Sequence, residues 1–354
     1  MLRDTFSVPK HKPCRRSRNL SMAMTLKENA LRIIRFDHPE RVTPGPPTHL
    51  LCYQGCNHEG YEGGGHDCPV GATWTDIWGT GWRKELKGVM GFPRVNPLPD
   101  PAALKTYGWP DPNDPRVCER VYRMAQEFPG GDMFLAGSHR DTLWEKSYML
   151  VGMENMMAAL HTEQGFARDV LHRVMDFQIG MARHYLDLGV EMACFGDDLG
   201  TQSGPLLNPA IVQEFFVPEY KRLFALYRER GVLISFHSCG KIEAFLDMFV
   251  DLGVDILNPV QATANDLEVV RTRTVGRIAL QGGVSTALIM DGPVEAITAE
   301  VRKRLWQLGR AGGYFCSPDQ GMPFPPAHME AFQQALQTYG AYPIKEPGWP
   351  EFRV

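Results

Sequence analysis

From about residue 130 onward the chain repeats one unit: a short apolar run ending in polar or glycine-rich residues, then a longer amphipathic stretch. The runs lie at 132–136, 192–195, 232–236, 256–260, 278–281 and 314–316. Between them stand segments such as "NPAIVQEFFVPEYKRLFALYRERG", "IEAFLDMFVDLG" and "VEAITAEVRKRLWQLGRAGG", with apolar residues at three-to-four spacing and stops at Gly231 and Gly253. Short strands alternating with helices require crossovers, and crossovers make the strands parallel. "PPTHLLCYQG" at 46–55 supplies a first strand. About eight such units close into a (β/α)8 TIM barrel of roughly 250 residues. A doubly wound open sheet competes, but neither G-x-G-x-x-G nor a P-loop supports a nucleotide fold. Region 56–120, rich in Gly, Trp and Pro, reads as a loop-rich N-terminal excursion over one end of the barrel.

The bulk numbers exclude several classes of function. With 37 basic against 41 acidic residues the net charge is −4, which suggests neither nucleic acid nor an anionic membrane as partner. No apolar run approaches the ~18–20 residues of a membrane span. Eight cysteines in 354 residues are too few for a disulfide scaffold. A reducing cytoplasm is the expectation, with thiols free to ligate metal. Residues 1–23 read as a disordered basic arm, or as an upstream start with Met22 or Met24 as the true beginning. An Arg-rich, acid-poor start is also what a transit peptide looks like. The domain proper is then 24–350, a single barrel.

Barrel enzymes carry their chemistry at the C-terminal ends of the strands. "FHSCGK" at 236–241 ends one run and places His237 and Cys239 two residues apart, on one side of an extended chain. Cys316, in "GGYFCSPDQG", ends what reads as the last strand. Two thiolates and an imidazole suit Zn2+ with a fourth position open. Glu154 in "VGMENM" is a candidate fourth ligand, or a carboxylate favoured at a helix start. The bland alternative is core packing, since free cysteines are among the most buried residues. A rival cluster, Cys56, His66 and Cys68, matches no zinc spacing. "CFGDDLGTQSGPLLNP" ends another run with Asp197 and Asp198. Adjacent strand residues face opposite ways, so one of the two is expected at the active centre as proton donor, base or positioning group, the other reading being a helix cap. Gln202, Asn258, Gln261 and Gln281, with Ser285, end neighbouring strands as candidate substrate contacts.

The run "GDDLGTQSGPLLNPAIVQEFFVPEYKRLFALYRERGVLISFHSCGKIEAFLDMFVDLGVDILNPVQ" and the later "IALQGGVSTALIMDGPVEAITAEVRKRLWQLGRAGGYFCSPDQGMPFPPAHMEAF" resemble the uroporphyrinogen-decarboxylase superfamily, most of all its corrinoid-dependent methyltransferase branch. The likeness covers roughly 24–340 and implies a (β/α)8 barrel. The decarboxylases carry an Arg-rich R-Q-A-G-R-Y segment where this chain has "LLCYQGCNHEGYEGG", and a Gly-His-Gly element where it has "SPDQG". A tetracarboxylate substrate without arginines to receive it is physically disfavoured. The methyltransferase branch binds zinc through H-x-C and a later Cys, which implies His237, Cys239 and Cys316 here. One departure is Ser285 in "GGVST", where an acidic residue is common. The resemblance implies Zn2+, a cobalamin carried by a partner corrinoid protein, and a small-molecule methyl donor or acceptor. Members with "GDDLGTQ" and a "GWPDP"-like stretch, here 108–112, resemble the O-demethylase type. The Trp- and Gly-rich loop 72–82 would then cover an aromatic ring. Thiol methylation from methylcobalamin and uroporphyrinogen decarboxylation are the alternatives. The sequence does not distinguish a monomer from a homodimer.

Overall fold

The structure, a computed structural model, describes residues 24–56, 68–87 and 89–348. The basic arm 1–23 and His66 of the rival cluster lie outside the described residues. Ten strands follow in chain order: β1 (Thr48–Leu51), β2 (Thr73–Thr75), β3 (Gly81–Arg83), β4 (Phe92–Val95), β5 (Phe134–His139), β6 (Met192–Gly196), β7 (Leu233–His237), β8 (Ile256–Val260), β9 (Ala279–Val284) and β10 (Tyr314–Pro318). Seven of them form one parallel sheet in the order β1-β5-β6-β7-β8-β9-β10. Each of the six apolar runs became a strand of this sheet, within three residues at its ends, and the 46–55 segment gave the shorter Thr48–Leu51.

The fold is α/β and TIM-barrel-like, curled into a half-barrel, with seven strands among the described residues rather than eight. Between β10 and β1 lies an irregular run. The Cys316 amide donates to the Thr43 carbonyl at 2.9 Å, and the Phe134 amide to the Pro47 carbonyl at 2.8 Å. The prolines at 44, 46 and 47 explain why this approach to β1 forms no ladder, since proline offers no N–H.

Strand parity decides what faces the axis. Phe134, Ala136, Met192, Ile256, Ala279 and Phe315, from the N-terminal halves of their strands, form one apolar cluster with Ala30, Ile33 and Ile34. Those three belong to the helix Leu26–Arg35, capped by Thr25, whose side chain accepts from the Glu28 amide. The helix therefore plugs the bottom of the sheet's concave side. Continuing the same parity upward brings Cys194 and Gly196 of β6, Ser235 and His237 of β7 and Asn258 of β8 to the upper, polar end.

Residues of the opposite parity pack against the surrounding helices. His139 of β5 is fully buried there, stacked on Phe195 at 5.1 Å. Its Nδ1 lies 2.7 Å from Gln178 Oε1 and its Nε2 2.6 Å from the Tyr227 hydroxyl. Burial pulls its pKa from the ordinary 6.5 down to about 4, against the Gln178 hydrogen bond, which raises it. The unfolded chain therefore takes up a proton that the folded one refuses. Stability from this histidine is present above about pH 6.5 and is lost as pH falls toward 4, about 3 kcal/mol in all. Chemical-denaturation curves from pH 7 to 4 are expected to show this loss, and His139→Asn, less stable at pH 7, should show a shallower acid limb. An equal slope in both proteins would exclude His139 as its source.

The excursion is a small antiparallel sheet, β2-β3-β4. Trp74 and Trp82 stack on each other at 6.3 Å, and Trp78 packs edge-on against Phe177 at 4.5 Å. These tryptophans are spent on the excursion's own core and its seat on the barrel. Among the described residues, no helix is long and apolar enough to cross a membrane.

Candidate active site

At the C-terminal ends of β5 to β8 the polar residues surround a cavity of about 440 Å³. Asp198, His237 and Cys239 stand on its wall, each offering a ligand atom within 4.8 Å of the other two. His237 is the last residue of β7, and Asp198 and Cys239 follow β6 and β7 by two residues, so the inward parity of the strands continues into the loops. The two loops are locked together. Asp198 Oδ1 accepts from the Cys239 amide at 2.8 Å, and Ser238 Oγ accepts from the Leu199 amide at 3.0 Å. Gly240, at φ 81°, lies so close to Gly200 that an added Cβ would sit 2.3 Å from the Gly200 carbonyl. Only glycine permits that crossing of two backbones.

Asn258 sets the tautomer of His237. Its Nδ2 donates to Ser235 Oγ at 3.2 Å, so its Oδ1 faces His237 Nδ1 at 3.0 Å as an acceptor. The imidazole proton is therefore on Nδ1, and the Nε2 lone pair points at the cavity, 3.2 Å from Cys239 Sγ and 3.6 Å from Asp198 Oδ1. A histidine fixed through its far nitrogen by a hydrogen bond is how metal sites orient this ligand. Burial and the neighbouring Asp198 push the Cys239 thiol well up, and burial pulls the imidazole down. Gln320 donates to Cys239 Sγ at 2.8 Å. An imidazole lone pair, a thiol and a carboxylate converging in this way form a group that could hold a metal ion.

Two of the expected ligands are elsewhere. Cys316 is fully buried and shares the parity of Tyr314, whose hydroxyl donates to the Gly282 carbonyl at 2.8 Å. It faces Glu300 and Arg304 of the helix Val294–Arg304, while its neighbour Phe315 takes the inward position. The sequence reading put Cys316 at the right strand but on the wrong side of it. Glu154 is exposed in the first turn of the helix Met153–Thr162, the dipole position of its alternative reading. Asp197, expected beside Asp198 as a catalytic candidate, points outward. It is fully buried and accepts from the Leu143 amide at 2.9 Å, the Glu145 amide at 2.9 Å and the Tyr220 hydroxyl at 2.6 Å.

Of the proposed substrate contacts, Gln202 and Gln261 line the cavity, and Gln261 Oε1 accepts from the Gly240 amide at 2.6 Å. Asn258 acts through His237. Gln281 lies off the cavity and donates to the Pro44 carbonyl at 3.3 Å. Ser285 caps the helix Thr286–Asp291. The excursion does reach the cavity, but through Met90 rather than through the 72–82 loop.

Arg140, Asp141, Glu145 and Gln320 were missed. All four line the cavity. Glu145 is half-buried, and desolvation, then Asp141 and Asp198, hold its carboxyl far above the usual carboxylate range. Asp141 sits in the left-handed region at φ 54°, a local strain of the kind that clusters at functional sites. "HRDTLWEK", from the last residue of β5 onward, carried the signal: among its ionisable side chains, Arg140, Asp141 and Glu145 follow the end of a barrel strand.

Comparison with known proteins agrees with this architecture. Residues 84–339 match the family model "Uroporphyrinogen decarboxylase (URO-D)". The chain belongs to that family. Curated uroporphyrinogen decarboxylases of Ralstonia pickettii and Burkholderia pseudomallei are similar to it, at 28% identity over 150 residues and 29% over 168. Those stretches are 41% and 46% of this chain, and the chain spans under half the length of the relatives, 40% and 45%. A methyltransferase from Methanosarcina mazei shares the fold, with a TM-score of 0.67 over 89% of this chain and 99% of that one, at 17% identity.

Proposed function

We propose that the chain is a zinc-dependent methyltransferase that moves a methyl group between a small substrate, a methyl ether, and the cobalamin of a separate corrinoid protein. The observation that carries this reading is the convergence of Asp198, His237 and Cys239 on one cavity, with His237 Nε2 left as a lone pair. The donor set fits zinc: a nitrogen, a sulfur and a carboxylate oxygen, with room for an exchangeable fourth ligand. Zinc bound there would act as a Lewis acid, stabilising negative charge on the substrate oxygen.

The chain's own residues supply the rest. Glu145, on the cavity wall with its carboxyl pushed far above the usual range, is the candidate to give a proton to the departing oxygen, a poor leaving group given a phenol pKa of about 10. Asn258 keeps His237 in the tautomer that presents Nε2. Gln202 and Gln261 offer amides to polar parts of the substrate. Among the described residues lining the cavity, Arg140 is the one arginine, which disfavours the tetracarboxylate of the decarboxylase alternative.

The test uses purified protein, free cob(I)alamin as surrogate acceptor and a panel of methoxyaromatics. Formation of methylcobalamin with the matching phenol is expected, and Glu145→Gln should slow it by about 10²-fold or more. Conversion of uroporphyrinogen to coproporphyrinogen, with no methylcobalamin formed, would overturn the proposal in favour of decarboxylation. Demethylation of methylcobalamin driven only by a small thiol would move it to thiol methylation.

A further inference from the structure

Beside the cavity lies a second cluster of reactive side chains that the methyl-transfer reading does not use. β1 ends at Leu51, and the chain turns back at once: the Cys56 amide donates to the Tyr53 carbonyl at 3.1 Å, and Gly55 takes φ 82° to complete the turn. This reversal brings Cys56 back toward Cys52, near enough for each thiol to shift the other's titration. Cys56 Sγ also lies 3.3 Å from the Ser138 carbonyl and 3.4 Å from Ser138 Oγ. Both cysteines are free. They differ in surroundings: Cys56 is fully buried, whereas Cys52 is half-buried and lies within the field of Arg120 and Arg140.

We propose that Cys52 and Cys56 are a modification site, a dithiol that a peroxide oxidises to an intramolecular disulfide. The Cys52 thiolate attacks one oxygen of the peroxide, the O–O bond breaks, hydroxide leaves and takes up a proton, and Cys52 becomes a sulfenic acid. The Cys56 sulfur then attacks the Cys52 sulfur, the S–O bond breaks and water leaves. In sum, two thiols and hydrogen peroxide give one disulfide and two waters, and a dithiol reductant reverses it. The roles follow from the asymmetry. The neighbouring Cys56 thiol, with help from the two arginines, brings Cys52 down to about 7 despite its burial, while burial pushes Cys56 well up. Cys52 is thus the attacking thiolate and Cys56 the resolving thiol. The site is coupled to the cavity through Ser138 and Arg140, which line it.

The full-length protein, treated with excess hydrogen peroxide, is alkylated, digested after glutamate without reduction and weighed. Cleavage after Glu40 and Glu59 yields a peptide holding Cys52 and Cys56 as its only cysteines. The expected result is that most of this peptide escapes alkylation and has lost two hydrogens, and that dithiothreitol restores both alkylation sites. In Cys56→Ser, dimedone should label Cys52; should that variant not fold, the wild-type peptide decides alone. Doubly alkylated peptide after peroxide, a disulfide from either residue to another cysteine, or protection of both thiols by zinc chloride would each overturn the proposal, the last in favour of a metal site.

Discussion

Protein purified without chelator is expected to hold about one zinc ion per chain, and His237→Ala and Cys239→Ala to hold almost none. Cys316→Ala and Glu154→Ala should retain the wild-type metal content. This contrast is the sharpest consequence of the geometry, because the sequence grouping of His237, Cys239 and Cys316 predicts the opposite for Cys316. Cys239 cannot be replaced by its neighbours: it is the thiol within 4.8 Å of both Asp198 and His237. Bringing a thiol beside a carboxylate raises the thiol's pKa, as burial also does here, so the thiolate needs a cation to form. Asp198→Ala removes the third ligand atom and should weaken binding together with methyl transfer. Asn258→Ala leaves every ligand in place but frees the imidazole to change tautomer. The expected cost is about 10–100-fold in metal affinity. Metal analysis beside a zinc-competition titration reads all six variants. Zinc lost in Cys316→Ala as well as in Cys239→Ala would return the site to the original grouping.

The alternation of apolar runs with amphipathic stretches was enough to place all seven strands of the parallel sheet, because a strand buried on both faces can be little else than apolar. The polar residues that follow such a run then mark the mouth, which is how Asp198, His237, Cys239 and Gln261 were found. What failed was parity in one strand. "YFCSP" offers Phe315 and Cys316 as equally apolar neighbours, and nothing local tells which of the two faces the axis; the choice is made by the plugging helix, whose Ile33 and Ile34 need Phe315 as their partner. Glu145 and Gln320 escaped for a different reason. Neither sits within a strand, and their arrival at the cavity depends on where the loops after β5 and β10 fold back. Asn258 was legible as a residue near the site but not as the one that orients His237, because that role exists only across two paired strands.

Asp197→Ala is expected to destabilise the protein by about 3–5 kcal/mol, although Asp197 touches no part of the cavity. The helix Trp144–Val151 begins at Leu143 with no side-chain cap of its own. Its first amides, of Leu143 and Glu145, are received by Asp197, which arrives from the end of β6, more than 50 residues away in the chain. Tyr220 donates to the same carboxylate from a third element. Truncation therefore leaves three donors buried without acceptors and unties the helix that carries Glu145 from the loop after β6 that carries Asp198. Activity at saturating substrate should fall with the stability, since both residues lose their common anchor. A conservative change separates charge from shape. Burial pushes the Asp197 pKa up to about 7, against hydrogen bonds that pull it down. A carboxyl whose pKa is raised on folding favours the folded state most below the unfolded value near 3.9, and loses that contribution as pH climbs through 7. The stability gap between wild type and Asp197→Asn is therefore expected to narrow from pH 4 to pH 7, with His139 contributing equally to both proteins and cancelling. A gap that widens over this range would show that Asp197 is charged throughout, and that its hydrogen bonds outweigh the desolvation.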